Sequence, residues 1–180
     1  MTATNVWPAF DDEVVRAMAK WPDVPCCYGW LRLDMRGNWR IQDEIVRHQR
    51  AQAFLSRHFR ADDVGRWYVQ NGPQQVFVDL DYTPWVYRYQ PPKTLMTHTA
   101  LSCSEIKAAL LDDDGNLLVV TTYGVGVVDD RDLSRCEALM MCVDDESVPH
   151  ALTWGDNQIS LATIKRSEVA ARFRFDPRPR

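Results

Sequence analysis

The chain has 180 residues, enough for one domain or two small ones. Hydrophobic residues make up 46% and charged residues 26%, which excludes a disordered chain, because enough apolar surface exists to offset the entropy of ordering. The formal net charge of −4 opposes non-specific attraction to nucleic acid or anionic membranes, so neither is expected as a partner.

Residues 11–18 open with Asp11-Asp12-Glu13 and continue with Val14, Val15, Ala17 and Met18. Acids in a first turn favour a short helix, which Pro22 and Pro25 stop. Residues 29–34 alternate as a strand, Gly37-Asn38 turns the chain, and Trp39 and Ile41 continue on one face of the next strand. An amphipathic helix is predicted over residues 44–60, with Asp43 as its N-cap and Ile45, Ala51, Leu55 and Phe59 on one face. His48 falls near the middle of that face, where a packed, hydrogen-bonded ring is the expectation, and His58 shares the helix. A second hairpin turns at Asn71-Gly72-Pro73, with Val76, Val78 and Leu80 on the returning strand. Residues 85–89 read as a short edge strand, and Gln90-Pro91-Pro92-Lys93 as a semi-rigid linker.

Beyond the linker, strands are predicted at 106–111, 117–122 and 125–129, the middle one apolar on both faces and therefore central. A helical turn at 130–135, a strand at 137–143, a hairpin around Gly155-Asp156-Asn157 and a helix at 165–173 follow. Arg172, Arg174, Arg178 and Arg180 end the chain as a solvated, frayed basic tail, with a weak anionic contact site as the sharper alternative. No segment approaches the roughly 20 apolar residues of a membrane span, and the first residues lack the basic flank and apolar run of a secretory signal. The cysteines are Cys26, Cys27, Cys103, Cys136 and Cys142. An odd count with one adjacent pair fits reduced thiols, so a cytoplasmic location is expected.

Leu33-Asp34-Met35-Arg36-Gly37-Asn38 recurs as Leu111-Asp112-Asp113-Asp114-Gly115-Asn116. Gly65, Val69, Val78 and Asp79 match Gly115, Val119, Val128 and Asp129 at a constant spacing of 50 positions. Self-similarity of this kind points to a duplicated supersecondary unit. The predicted fold class is α+β, with two related antiparallel β-hairpin-rich units, each with a packed helix. Residues 1–26 form an N-terminal arm, 27–92 the first unit and 93–180 the second.

Three stretches carry a resemblance to a known family. They are Leu33-Asp34-Met35-Arg36-Gly37-Asn38-Trp39, then Ile45-Val46-Arg47 with Phe54, then Gly65-Arg66-Trp67-Tyr68-Val69 running through Val76-Phe77-Val78-Asp79 to Thr83-Pro84-Trp85. They resemble hairpins and a helix start of a group of uncharacterised proteobacterial proteins. The resemblance implies a two-subdomain α+β fold with a repeated hairpin–helix motif, and a suggested role in signal transduction. It is clear over residues 29–89 and weaker beyond them.

Catalytic signatures are missing from the sequence. There is no C-x-x-C, no His pair at helix-ligand spacing and no G-x-S-x-G, so no catalytic residue, metal or cofactor is expected. Asp112-Asp113-Asp114-Gly115 lacks a closing Glu and reads as a hairpin turn, not a calcium loop. Gly124-Val125-Gly126 lies between strands, without the following helix that a phosphate loop needs. Tyr28, Trp30, Tyr68 and Phe77, with Tyr87 and Tyr89, fall opposite the inward residues of their strands. The leading expectation is a non-enzymatic ligand- or partner-binding protein, regulatory in role, with a groove at Tyr28, Trp30, Tyr68 and Phe77, and with His98 and Asp79 nearby. One alternative is a hydrolase or isomerase in which His98 and Asp79 or Asp81 form an acid–base pair. Another is a homodimer that buries the aromatic face against its copy.

Overall fold

The structure, a computed structural model, describes residues 7–137, 139–141 and 149–180. Two compact units divide it. One takes the chain up to Asp34, Asn38–Tyr82 and Arg174–Arg180. The other takes Met35–Gly37 and Thr83–Phe173. Both are built on a mixed β-sheet with short helices, an α+β arrangement in which helices are few.

The first unit begins with helix α1 (Asp12–Lys20), whose first turn carries Asp12 and Glu13. Strands β1 (Cys27–Leu33), β2 (Trp39–Ile41) and β3 (Glu44–Ile45) form a meander, helix α2 (Gln49–Arg57) crosses over, and β4 (Phe59–Ala61), β5 (Trp67–Asn71) and β6 (Gln74–Leu80) form a second meander. The sheet order is β3-β2-β1-β6-β5-β4. β6 lies parallel to β1, pairing Leu31 with Val78 and Leu33 with Leu80. The sheet is therefore mixed, not antiparallel as the hairpins alone implied, because the first and last strands become neighbours only after a crossover.

The predicted 44–60 helix is shorter than expected. Gln42 (φ 46°) and Asp43 (φ 71°) both sit in the left-handed region and make a two-residue turn, with Ile41 paired to Glu44. That turn returns residues 44–45 as β3, so Asp43 is not a cap. His48 is the N-cap instead, its Nδ1 accepting from the Ala51 N–H at 3.4 Å, and it is exposed, not packed on an apolar face. At the far end Phe59 begins β4. A core of Leu31, Leu33, Trp39, Phe59, Trp67 and Val69 lies on one side of the sheet, with Phe59 edge-on to Trp39 at 5.2 Å and tilted on Trp67 at 4.7 Å. Ring pairs of this kind add about 0.5–1.5 kcal/mol each beyond area burial.

The C-terminal residues are tied down, not frayed. The Leu80 N–H donates to Pro177 O, the Asp176 N–H donates to Gly65 O, and Arg66 and Asp176 form a parallel bridge. Arg180 lies 3.2 Å from Asp79, and Arg178 lies 3.7 Å from Asp81. Backbone bonding and opposite charge together hold a segment that composition alone reads as a loose tail.

In the second unit the strands are β7 (Trp85–Gln90), β8 (Thr94–Thr97), β9 (Ser102–Cys103), β10 (Ala108–Asp112), β11 (Leu117–Val120) and β12 (Val125–Val128). A 3₁₀ turn (Asp130–Asp132) and helix α3 (Leu133–Glu137) follow, then β13 (Met140–Met141), β14 (Ala151–Trp154) and β15 (Asn157–Ile164). Helix α4 (Val169–Phe173) closes the unit. Part of the strand predicted at 137–143, with Cys142, lies outside the described residues. The sheet order among the described residues is β13-β14-β15-β10-β11-β12-β7-β8-β9. β15 runs parallel to β10, and β7 runs parallel to β12. β7 is thus interior, not an edge strand, and residues 91–93 turn the β7–β8 hairpin, in which Gln90 pairs with Thr94. A semi-rigid linker is not what this proline pair makes. β11 is central as read, with Leu117, Leu118 and Val119 buried.

Strands β1–β6 and β10–β15 share one order and one set of senses: three antiparallel strands, a helical crossing, three more, and a parallel junction between first and last. The β1–β2 and β10–β11 hairpins turn on the same device. Asp34 Oδ1 accepts the Asn38 N–H at 2.9 Å, and Asp112 Oδ1 accepts the Asn116 N–H at 2.7 Å. Gly37 (φ 76°) and Gly115 (φ 82°) supply the left-handed step before each Asn. With its carboxylate spent on amides, Asp112 belongs to a turn. The echo at a spacing of 50 relates β5–β6 to β11–β12, two hairpins of equal register that occupy different places in their sheets.

Two buried carboxylates fasten the 3₁₀ turn to β7. Asp132 Oδ2 accepts from Arg88 Nε at 2.6 Å and from the Tyr89 N–H at 3.0 Å. Asp129 accepts from the Arg131 N–H and Nε, both at 2.9 Å. Burial pushes the Asp129 carboxyl up, but the bonds from Arg131 outweigh it and hold the group below its ordinary value. No helix among the described residues is long and apolar enough to cross a membrane, which says nothing of strands. Because its folded pKa is depressed, Asp129 contributes stability that is fully present above the ordinary carboxylate value of about 3.9 and is lost as pH falls through the lower folded value. Asp129→Asn is expected to cost about 2 kcal/mol at pH 7 and to flatten the acid limb of a melting-temperature series run from pH 7 to pH 3.

Candidate functional site

An apolar cleft of the first unit lies between α2 and the sheet. Its volume is about 340 Å³. Leu31, Val69 and Val76 line it from the sheet, and Ala51, Phe54 and Leu55 line it from α2. Trp30 and Ile41 complete the apolar lining and are 53% and 45% exposed. Cys27 and Asn71 supply the polar atoms of the lining, and none of the ten lining residues is charged.

The helix bridges this space because polar bonds anchor its flanks. Gln52 Nε2 donates to Val46 O at 2.7 Å, and Trp39 Nε1 donates to Ser56 Oγ at 3.2 Å. Arg57 pairs with Asp11 at 2.9 Å. The fully buried His58 ring accepts the Asp11 N–H at Nε2 and faces Phe54 O with Nδ1 at 2.9 Å, so Nδ1 is the donor there. It also packs on Phe54 at 4.3 Å, which fixes one wall of the cleft. None of the nine residues of α2 is buried, although Leu31 and Val69 of the sheet beneath are. A helix whose apolar face stays half-covered leaves room for something else to cover it.

The aromatic residues singled out in the sequence separate. Phe77 is 2% exposed, with Tyr28 stacked on it at 4.7 Å and Tyr68 tilted against it at 5.8 Å. Arg66 sits 4.7 Å over the Phe77 ring. Burial pushes the Tyr68 hydroxyl up. Strand alternation puts Phe77 on the face opposite Val76, so these three rings stand on the far side of the sheet from the cleft. Trp30 parts from them at a β-bulge between Cys27 and Leu31, where Gly29 has φ 71°. Tyr87 and Tyr89 are buried in the second unit.

Asp79 is held by Arg180, and Asp81 by Arg178 and Arg32, each through an ion pair of 3.2–3.7 Å. His98 belongs to the second unit, where its Nδ1 accepts the Val86 N–H at 3.4 Å and its ring lies 5.5 Å from Trp85. The two aspartates lie in the first unit, each engaged there by arginine. Ala51 and Leu55 carried a signal in the helical period, but Cys27, Asn71 and Val76 reach the cleft only through strand pairing that no local pattern shows.

The geometry can be set beside known proteins. A family model described as "Protein of unknown function (DUF2946)" matches residues 10–180. The chain belongs to this family, DUF2944. The DUF2944 chain is similar in fold to a DUF1285 family protein from Silicibacter pomeroyi DSS-3, with a TM-score of 0.56 and 18% identity, covering 79% of this chain and 85% of that one. A DUF1285 family protein from Shewanella baltica OS155 aligns with a TM-score of 0.44 and 16% identity, covering 59% and 88%. No curated protein matches the chain. The resemblance to an uncharacterised proteobacterial family holds, and at these identities the solved structures speak to fold alone.

Thiol chemistry follows exposure. Cys136 is 3% exposed, and burial, with Asp132 and Glu137 nearby, pushes its pKa up to about 11. Burial also pushes Cys103 up. Cys26 is exposed. At pH 7.5 a water-soluble thiol reagent is expected to label Cys26 at least tenfold faster than Cys136, which reacts only on unfolding; peptide mapping by mass spectrometry reads the order.

Proposed function

We propose that this DUF2944 protein is a non-enzymatic binding module whose first unit holds a small, neutral, apolar molecule between α2 and the sheet. The observation that carries the reading is the uncharged cleft of about 340 Å³ beneath a helix with no buried residue. Its size falls at the lower end of the range of about 300–1,000 Å³ seen for small-molecule sites. A lining without charge favours a ligand without charge, since an unpaired ion there would lose its hydration. The exposed Trp30 indole at the cleft gives a ring for the ligand to pack on.

The two sheets are, in this reading, copies of one unit of three strands, a helical crossing and three strands. Their shared order, their parallel junctions and the Asp-x-x-Gly-Asn turn support it. One copy has gained β7–β9 at its edge. The same reading makes the chain a regulatory protein, working in signal transduction within a reducing compartment.

The test uses N-phenyl-1-naphthylamine, a neutral apolar fluorophore, with the full chain. Saturable fluorescence enhancement at one site is expected. Trp30→Ala is expected to weaken it about tenfold, and Leu55→Glu to abolish it while the melting transition is kept. Absence of saturable enhancement, or equal binding by both variants, overturns the reading. Sedimentation at several concentrations separates it from a homodimer, in which the cleft would be closed by a second copy and the dye displaced as protein concentration rises.

A further inference from the structure

Register puts positions of the two sheets in correspondence. Leu31 opposite Val78 across β1 and β6 matches Ala109 opposite Leu161 across β10 and β15. Val69 opposite Val76 matches Leu152 opposite Ile159, and Asn71 opposite Gln74 matches Trp154 opposite Asn157. The apolar cleft uses Asn71 and Val76, and their counterparts Trp154 and Ile159 line a separate cavity of about 530 Å³ within the second unit. Another wall is formed by the start of β1, at Cys27, in one unit and by the chain that leads into β10, at Ser104–Ile106, in the other. One topological position therefore carries a cavity twice, with different chemistry.

The second cavity is charged. Lys93 and Glu105 both line it, and neither enters an ion pair with the other or with any of the described residues. The Lys93 stem packs over Gly155, where a Cβ would come 2.7 Å from Nζ. Trp154 Nε1 donates to Ser104 O at 2.7 Å and fixes the backbone next to Glu105. Asn157 and Gln158 are the polar residues of this lining, and Ile106 and Ile159 the apolar ones. A cationic and an anionic residue that line one cavity, unpaired among the described residues, are complementary to a ligand bearing both opposite charges.

We propose that this cavity binds a free α-amino acid, with the carboxylate on Lys93 and the ammonium on Glu105. The assignment rests on the cavity alone and holds whether or not the apolar cleft binds its own ligand. Ligand-observed saturation-transfer NMR on the full chain, run with each of the twenty common amino acids, tests it. At least one is expected to bind saturably, with acetate and methylammonium more than tenfold weaker. Lys93→Ala and Glu105→Gln, both at the cavity surface, are each expected to weaken it tenfold or more without moving the melting temperature by more than a few degrees. Trp30→Ala is expected to leave it unchanged. No saturable binding by any amino acid overturns the proposal, as does binding retained in both charge variants or matched by acetate. Should a charge variant fail to fold, the acetate and methylammonium comparison on the natural chain decides alone.

Discussion

The parallel pairing of first and last strands is the constraint on which both sheets depend. A meander needs only tight turns, and three strands can be laid down by local chemistry. Bringing β6 beside β1, or β15 beside β10, requires the chain to leave one edge, cross a face and return along the other meander. α2 makes that crossing in the first unit, and the 3₁₀ turn with α3 follows β12 in the second. Once the junction forms, Leu33 lies against Leu80 and Leu31 against Val78, and the residues that close the core are fixed.

The same constraint makes the cleft. A crossing helix is positioned by its ends, and here the ends are held by polar bonds: His48 at the N-terminus, and Trp39 to Ser56 and Arg57 to Asp11 near the C-terminus. Hydrogen bonds and ion pairs fix distance in a way that apolar contact does not. The central apolar residues of α2 consequently bridge a space instead of sealing it.

The sequence made legible what is local. The Asp-x-x-Gly-Asn turns, the buried β11, α1 with its acids and the β14–β15 hairpin all follow from short-range patterns. What escaped it has physical reasons. Gln42 and Asp43 adopt a left-handed turn without glycine, so nothing in the residue types announced β3. Pro91-Pro92 reads as a spacer until Gln90 and Thr94 are seen to pair. The aromatic groove assumed unbroken alternation along β1, and the bulge after Cys27 sends Trp30 to the cleft while Tyr28 stacks on Phe77. Asp79 looked available for chemistry, and arginines from the end of the chain, nearly a hundred residues later, occupy it.

Hydrogen exchange measured by mass spectrometry on the full chain tests the central claim most directly, since it compares the crossing helix with the junction beneath it. Amides of residues 49–57 are expected to exchange at least tenfold faster than those of β1 and β6, and to slow selectively when a neutral apolar ligand fills the cleft. Exchange of α2 as slow as that of β6, unchanged by any such ligand, would contradict the account.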